Sequence, residues 1–186
     1  MAEHVCPWWV GYFLISPLRR WFQDPAAIVG PYVKPGMTVL EPGPGMGFFT
    51  VELARQVGAE GKVVAVDIGP RMIATLKRRM AKAGLLNRTD ARVSQAGSMG
   101  LGDLRGRIDF TLAFYMVHEM PSASRFFQEA AECTKPGGTL LLAEPPGHVK
   151  QEIFEAELQQ AAKAGFAIIE RPKIRGSLAA LLMKPA

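Results

Sequence analysis

The sequence predicts a single α/β domain built on an open, mostly parallel sheet with helices on both faces. Three observations carry this expectation. From Met37 onward, short apolar runs alternate with amphipathic segments in the order βαβαβ, followed by further strand and helix units. The early runs, such as Val63-Val64-Ala65-Val66, are continuous rather than alternating, as in strands buried on both faces. The last two runs are joined only by a short link at 172–176. A parallel crossover needs about a dozen residues, so this pair should be antiparallel.

Residues 1–35 differ in character and are expected to form an N-terminal helical extension. Pro7, Pro17, Pro25, Pro31 and Pro35 divide them, and proline suits helix starts rather than interiors. Short helices are expected at 8–14 and 17–22, with a third piece at 26–29. The sheet domain then occupies 36–186. Strand 37–41 ends in Glu41 and leads into Gly43, Gly45 and Gly47. Segment 48–57 reads as a helix with Phe49, Leu53 and Val57 on one face. Strand 62–67 ends in Asp67. Pro70 opens a helix over 70–83, and Gly84 stops it. A weaker strand at 91–95 precedes a fourth at 108–113. Helix 123–134 is stopped by Pro136-Gly137-Gly138, before strand 139–144. Helix 149–164 is closed by Gly165, and strands 166–171 and 178–184 complete a set of seven.

Composition sets limits on function. With 48% hydrophobic and 21% charged residues the chain is globular, neither disordered nor fibrous. Cys6 and Cys133 lie far apart and imply no disulfide framework, so a reducing, cytoplasmic compartment is expected. No signal-peptide pattern and no run of ~20 apolar residues is present, so no membrane span is expected. The formal charge of +5 is uneven, with Arg71, Lys77, Arg78, Arg79, Lys82, Arg88 and Arg92 opposed in that stretch only by Asp90. No aromatic residues interleave with these charges, which favours a solvated helix face over a nucleic-acid footprint. The segment containing Trp8, Trp9, Tyr12, Phe13, Trp21 and Phe22, with Arg19 and Arg20, is best read as core or lid packing. Contact with a membrane surface stays open.

The glycine loop follows a strand and opens a helix. Gly43, Gly45 and Gly47 permit backbone angles and close approaches that side chains forbid. Ligands of open α/β sheets bind at the carboxyl ends of the strands. Asp67, at the end of the next strand, is placed to accept hydrogen bonds from ribose hydroxyls. A dinucleotide loop wants its third glycine one residue later. Glu41 would also repel a pyrophosphate, yet would welcome the ammonium of an amino-acid-bearing nucleoside.

Val39-Leu40-Glu41-Pro42-Gly43-Pro44-Gly45-Met46-Gly47 resembles motif I of the class I S-adenosylmethionine-dependent methyltransferases. Val64-Ala65-Val66-Asp67 resembles their second motif, and Lys135-Pro136-Gly137-Gly138-Thr139-Leu140 resembles the turn before their fifth strand. The pattern is most similar to the small-molecule branch that includes the ubiquinone and menaquinone C-methyltransferases, and covers residues 36–184. The resemblance implies a Rossmann-like seven-stranded sheet whose last strand is antiparallel. It implies S-adenosylmethionine as methyl donor and S-adenosylhomocysteine as product. It assigns Glu41, Gly43, Pro44, Gly45 and Gly47 to the methionine end of the cofactor, Asp67 to the ribose and Ile68 to the adenine. An acid often follows the third strand in this family. Here Gly97 stands at that position, so the adenine contact falls to backbone, Ser98 or Met99. Ala113, Phe114 and Tyr115 would line the other side of the cofactor.

Methyl transfer needs alignment and sometimes a base, with no covalent nucleophile. His118 is the first candidate for a base or acceptor contact and Tyr115 the second. Glu144 and His148 follow the fifth strand and join the same end of the sheet. With His4, Cys6, Trp8, Trp9 and Tyr12 they form the expected acceptor-binding set. The spacing of His4, Cys6, His118 and His148 is not diagnostic of a metal site, and no metal is expected. The acceptor is expected to be a small apolar or aromatic molecule. Nucleic-acid members that methylate amino groups carry Asn/Asp-Pro-Pro-Tyr after the fourth strand, where this chain has Leu112-Ala113-Phe114-Tyr115. Two alternatives stay open: an RNA-binding methyltransferase using the 71–92 surface, and a noncatalytic cofactor-binding partner protein. The chain is expected to be a monomer or homodimer.

Overall fold

The computed structural model of the protein describes residues 23–95 and 97–186. The helices expected at 8–14 and 17–22 lie outside the described residues, as do His4, Cys6, Trp8, Trp9 and Tyr12. The described chain begins with helix α1 (Pro25–Val29), where the Asp24 carboxylate caps the Ala26 amide at 3.0 Å. Then follow β1 (Thr38–Pro42), α2 (Thr50–Gln56), β2 (Lys62–Asp67), α3 (Pro70–Lys82) and β3 (Thr89–Val93). The second half contains β4 (Ile108–Phe114), α4 (Ala123–Cys133), β5 (Thr134–Glu144), α5 (Gln151–Lys163), β6 (Ala167–Glu170) and β7 (Leu178–Met183).

The seven strands form one sheet in the order β3-β2-β1-β4-β5-β7-β6. The pairs β1/β2, β1/β4, β2/β3 and β4/β5 are parallel. Strand β7 inserts between β5 and β6 and is antiparallel to both, as the short link before it requires. The continuous apolar strands divide their side chains between two cores. Val63 and Ala65 pack with Val29, Leu53, Ile73, Leu76 and Met80, on the face covered by α1, α2 and α3. Val64 and Val66 pack with Phe126, Phe127, Phe154 and Leu158, on the face covered by α4 and α5.

Two expectations need correction. The helix expected at 48–57 is shorter, because the loop continues through turns to Phe49 and α2 begins only at Thr50. Pro136-Gly137-Gly138 does not separate α4 from a later strand, since β5 starts at Thr134 directly after the helix and runs through these residues. The register with β4 shifts there, from Ile108 opposite Thr134 to Phe110 opposite Thr139. Gly137 has φ +76, and a Cβ on Gly138 would lie 3.0 Å from the Ile108 carbonyl oxygen. The glycines thus let a bulged strand pass close to its neighbour.

Phe127 is fully buried on α4 between the helix and the sheet. Phe127→Ala is expected to cost about 3–5 kcal/mol in urea unfolding, through lost burial and an unfilled cavity.

Candidate functional site

The order β2-β1-β4 places the carboxyl ends of β1 and β4 side by side, with chains leaving to opposite faces. Open α/β sheets bind ligands in the crevice this creates. The glycine loop forms its first wall. Gly43, Gly45 and Gly47 adopt φ of +66°, +54° and +86°, a region open to glycine and costly for other residues. A Cβ on Gly43 would stand 3.1 Å from the Met116 Cβ, and one on Gly45 would meet open space. Gly45 therefore presents bare backbone to the crevice. Met116, which lies against the loop from beyond β4, is a site residue that sequence reasoning missed.

Two acids flank this loop. Asp67 accepts hydrogen bonds from the Gly69 amide at 2.7 Å and the Gly45 amide at 3.2 Å, tying the end of β2 to the loop. Burial pushes its pKa up, and the two amides oppose the rise. Glu41 is 4% exposed, and its Oε2 has no hydrogen-bond partner. Burial pushes Glu41 up to about 7; the nearby Thr50 hydroxyl offsets part of the rise, although its Oγ1 meets no hydrogen-bond geometry, and Asp67 adds to it. A buried carboxylate oxygen without a partner is costly unless a ligand completes it.

The second wall is a polar cluster at the ends of β4 and β5. Glu144, fully buried, accepts through Oε1 from the amides of Val117 (2.8 Å) and His118 (3.3 Å). Its Oε2 meets His118 Nδ1 at 2.5 Å. Glu144 thereby fixes both the backbone of the turn Val117–Glu119 and the orientation of the imidazole. This contact raises the His118 pKa; burial lowers it, while the charges of Glu144, Glu119 and Glu157 add to the rise. His118 Nε2 lies 4.0 Å from Glu119 Oε1, and the His148 ring lies edge-on to His118 with centroids 6.0 Å apart. His118, Glu144 and His148 are thus brought together as expected from sequence.

Glu157 of α5 is an unforeseen member of this neighbourhood. It is buried with Oε2 unpartnered, and burial together with the Glu144 charge pushes it up to about 7. The signal was an acid set within the apolar stripe Phe154, Leu158 and Ala161. The Tyr115 hydroxyl is engaged elsewhere, donating to the Gly176 carbonyl (2.6 Å), lying 2.8 Å from Ser177 Oγ and accepting from Gln23 Nε2 (2.7 Å). Its ring stacks at a tilt on Phe114, which in turn packs on Phe49.

The remaining expected residues surround the crevice. Ile68 follows β2 and is 47% exposed, a free apolar surface beside Asp67. Gly97, at φ +84, and Ser98 form a tight turn closed by a Gln95–Ser98 bridge. Ala113 is fully buried, so only its backbone is placed to line the site. Cys133 is a core residue, and burial pushes its thiol up to about 11. Among the described residues, no group of three or more His, Cys, Asp or Glu is arranged to hold a metal ion. No helix among them is long and apolar enough to cross a membrane.

The bare backbone at Gly45, the partnerless oxygen of Glu41 and the acid closing β2 fit S-adenosylmethionine. They define a class I S-adenosylmethionine-dependent methyltransferase domain. The sequence profile described as a methyltransferase domain matches residues 33–175, and the chain belongs to that family. Its cofactor is S-adenosylmethionine, with S-adenosylhomocysteine as product. An arsenite methyltransferase of Halobacterium salinarum is 29% identical over 112 residues, 60% of this chain and 28% of that protein. A ubiquinone/menaquinone biosynthesis C-methyltransferase of Hydrogenovibrio crunogenus is 25% identical over 126 residues, 68% of this chain and 48% of its own length. The chain thus spans less than half the length of either curated relative. In fold it is similar to a methyltransferase structure from Aquifex aeolicus, with a TM-score of 0.86 at 24% identity, covering 97% of this chain and 100% of that one.

The Glu144 contact predicts a titration. His118 is expected to stay protonated above its ordinary range, and Glu144→Gln to bring its pKa back down. Imidazole NMR signals followed across pH check this. Because the folded-state pKa is raised, the pair's stabilisation is present at low pH and lost as pH rises through that pKa.

Proposed function

We propose that the protein transfers a methyl group to a small apolar or aromatic acceptor that carries an acidic hydroxyl, with His118 receiving the acceptor's proton. The observation that carries this reading is the buried Glu144 holding His118 at the mouth of the crevice. S-adenosylmethionine supplies an electrophilic methyl group. The residues of this chain bind, orient and move a proton around it. Nδ1 of His118 faces Glu144, which leaves Nε2 as the atom for proton exchange with the acceptor. The Glu144 carboxylate stabilises the imidazolium that forms. Ionising a phenol prepares its oxygen for methylation, and also makes the adjacent ring carbon nucleophilic. An acceptor of this kind suits the resemblance to the quinone C-methyltransferases. His148 and Glu119 would border it, together with His4, Cys6, Trp8, Trp9 and Tyr12 from the N-terminal extension. A cytoplasmic location, with a monomer or homodimer, belongs to the same proposal.

On the donor side, Glu41 would face the cofactor's ammonium and Asp67 its ribose, as the resemblance implies. Ammonium binding favours the ionised form of Glu41, whose pKa in the free protein is about 7. Affinity for S-adenosylmethionine is therefore expected to rise with pH through this region, with release of a proton. Calorimetry in buffers of different ionisation enthalpy reads both effects. Glu41→Gln is expected to bind more weakly and to lose the pH dependence.

An acceptor screen with radiolabelled donor tests the central reading. His118→Gln is expected to lower kcat about 10²–10⁴-fold for a hydroxyl-bearing acceptor, while cofactor binding is retained. Parent activity should rise with pH as His118 loses its proton. Unchanged turnover and pH profile in His118→Gln would remove it as the base. A chain lacking residues 1–22 is expected to raise the acceptor KM. The exposed Lys77, Arg78 and Lys82 of α3 are the observation behind the RNA alternative. Salt-sensitive RNA binding that is lost on charge reversal there would favour it.

A further inference from the structure

Helix α2 stands behind the cofactor loop and is poorly equipped to hold itself. It has seven residues, and its N-cap, Phe49, makes no side-chain capping hydrogen bond. Three positive-φ glycines precede it, each with large conformational freedom to lose. Isolated helices this short do not persist in water, so the arrangement depends on contacts from outside.

Part of that support is apolar. Phe49, Leu53 and Ala54 are buried, and the Leu76 side chain of α3 occupies the space where a Cβ of Gly47 would fall. Beside the Asp67 contact with the Gly45 amide, polar support comes from two arginines. Arg79 of α3 donates from Nη1 to the Met46 carbonyl at 2.5 Å, between Gly45 and Gly47. Arg88, in the single turn Leu86–Arg88 that precedes β3, donates from Nη1 to the Ala54 carbonyl of α2 at 3.3 Å. Both hydrogen bonds are partly buried, where a charged donor is stronger than a neutral one. The Arg88 Nε is buried as well. The basic run 71–92 is thus not uniform. Lys77, Arg78 and Lys82 are exposed and Arg92 pairs with Asp90 and Asp103, whereas Arg79 and Arg88 turn inward onto one loop-helix unit.

We propose that Arg79 and Arg88 are positioning residues for the cofactor, clamping the glycine loop and α2 through the carbonyls of Met46 and Ala54 in the arrangement that receives S-adenosylmethionine. The clamp is independent of the acceptor's identity. It acts on bound donor and bound product alike, because both lie on the same loop. Loss of Arg79 should therefore raise the KM for S-adenosylmethionine and leave kcat at saturation unchanged.

Arg79→Met keeps the aliphatic stem and removes the donor. Calorimetry on the full chain is expected to show dissociation constants for S-adenosylmethionine and S-adenosylhomocysteine each raised about tenfold. Arg79→Lys, which keeps one charged donor, is expected to stay within about threefold of the parent. In the cofactor-free protein, hydrogen exchange at amides 45–50 should accelerate in Arg79→Met, with the amides of β4 and β5 unchanged. Arg88→Met should shift affinity and exchange in the same direction by less, and carries the test if Arg79→Met does not fold. Parent-like affinity in both methionine variants would overturn the proposal. Weakened binding with unchanged exchange at 45–50 would also overturn it, since Arg79 would then act on the cofactor directly.

Discussion

Strands β1 and β4 lie side by side, yet one passes its chain to the α2 face and the other toward α4, and the rest of the site depends on that divergence. Between the two departing chains no helix among the described residues covers the strand ends. The backbone there must satisfy its polar groups through side chains or a ligand. Asp67 takes two amides on the β2 side, and Glu144 takes two amides and an imidazole on the β5 side. Each acid thus stabilises a loop that leaves its neighbouring strand. The two walls of the crevice are organised by the same device, a carboxylate at a strand end accepting from the next loop.

Burial of carboxylates recurs across the crevice. Glu41 and Glu157 are pushed to about 7, and Glu119 is raised as well, with burial the leading cause in each. Near neutrality, the charge of this region follows which partners are present. A cation beside Glu41, or a proton on His118, changes the balance. The raised carboxyls of Glu41 and Glu157 mean that folding stability falls as pH climbs from the ordinary carboxylate range toward 7. That cost is borne on both sides of the site.

Much of the fold was legible because its strands are buried on both faces and its turns carry glycine or proline. Val63-Val64-Ala65-Val66 can only be a doubly covered strand, and Gly84 closes α3 with φ +70 as a helix-ending glycine does. The short β6–β7 link made the antiparallel end of the sheet readable. The bulge through Pro136-Gly137-Gly138 was hidden, because the same residues serve a turn as well as a strand passing close to its neighbour. In the site, Glu41, Asp67, His118 and Glu144 stand at strand ends, where position in the pattern reveals them. Glu157 showed only as an acid within the apolar stripe of α5, and Met116, Arg79 and Arg88 were not legible. Their roles arise from contacts across the fold, and the charge count of 71–92 alone cannot separate an arginine turned inward from one in water.

Tyr115 is the one described non-glycine residue with positive φ, at +58°, and it follows directly on the strand that lines the crevice. Such a conformation costs about 1–3 kcal/mol and persists only where surroundings impose it. Here its phenol reaches Gln23 at one end of the described chain and the Gly176–Ser177 turn near the other. Phe114 and Met116, its immediate neighbours, pack on Phe49 and against Gly43 of the glycine loop. Through Tyr115, the segment at Gln23 and the Gly176–Ser177 turn are therefore tied to the side chains that pack against the glycine loop.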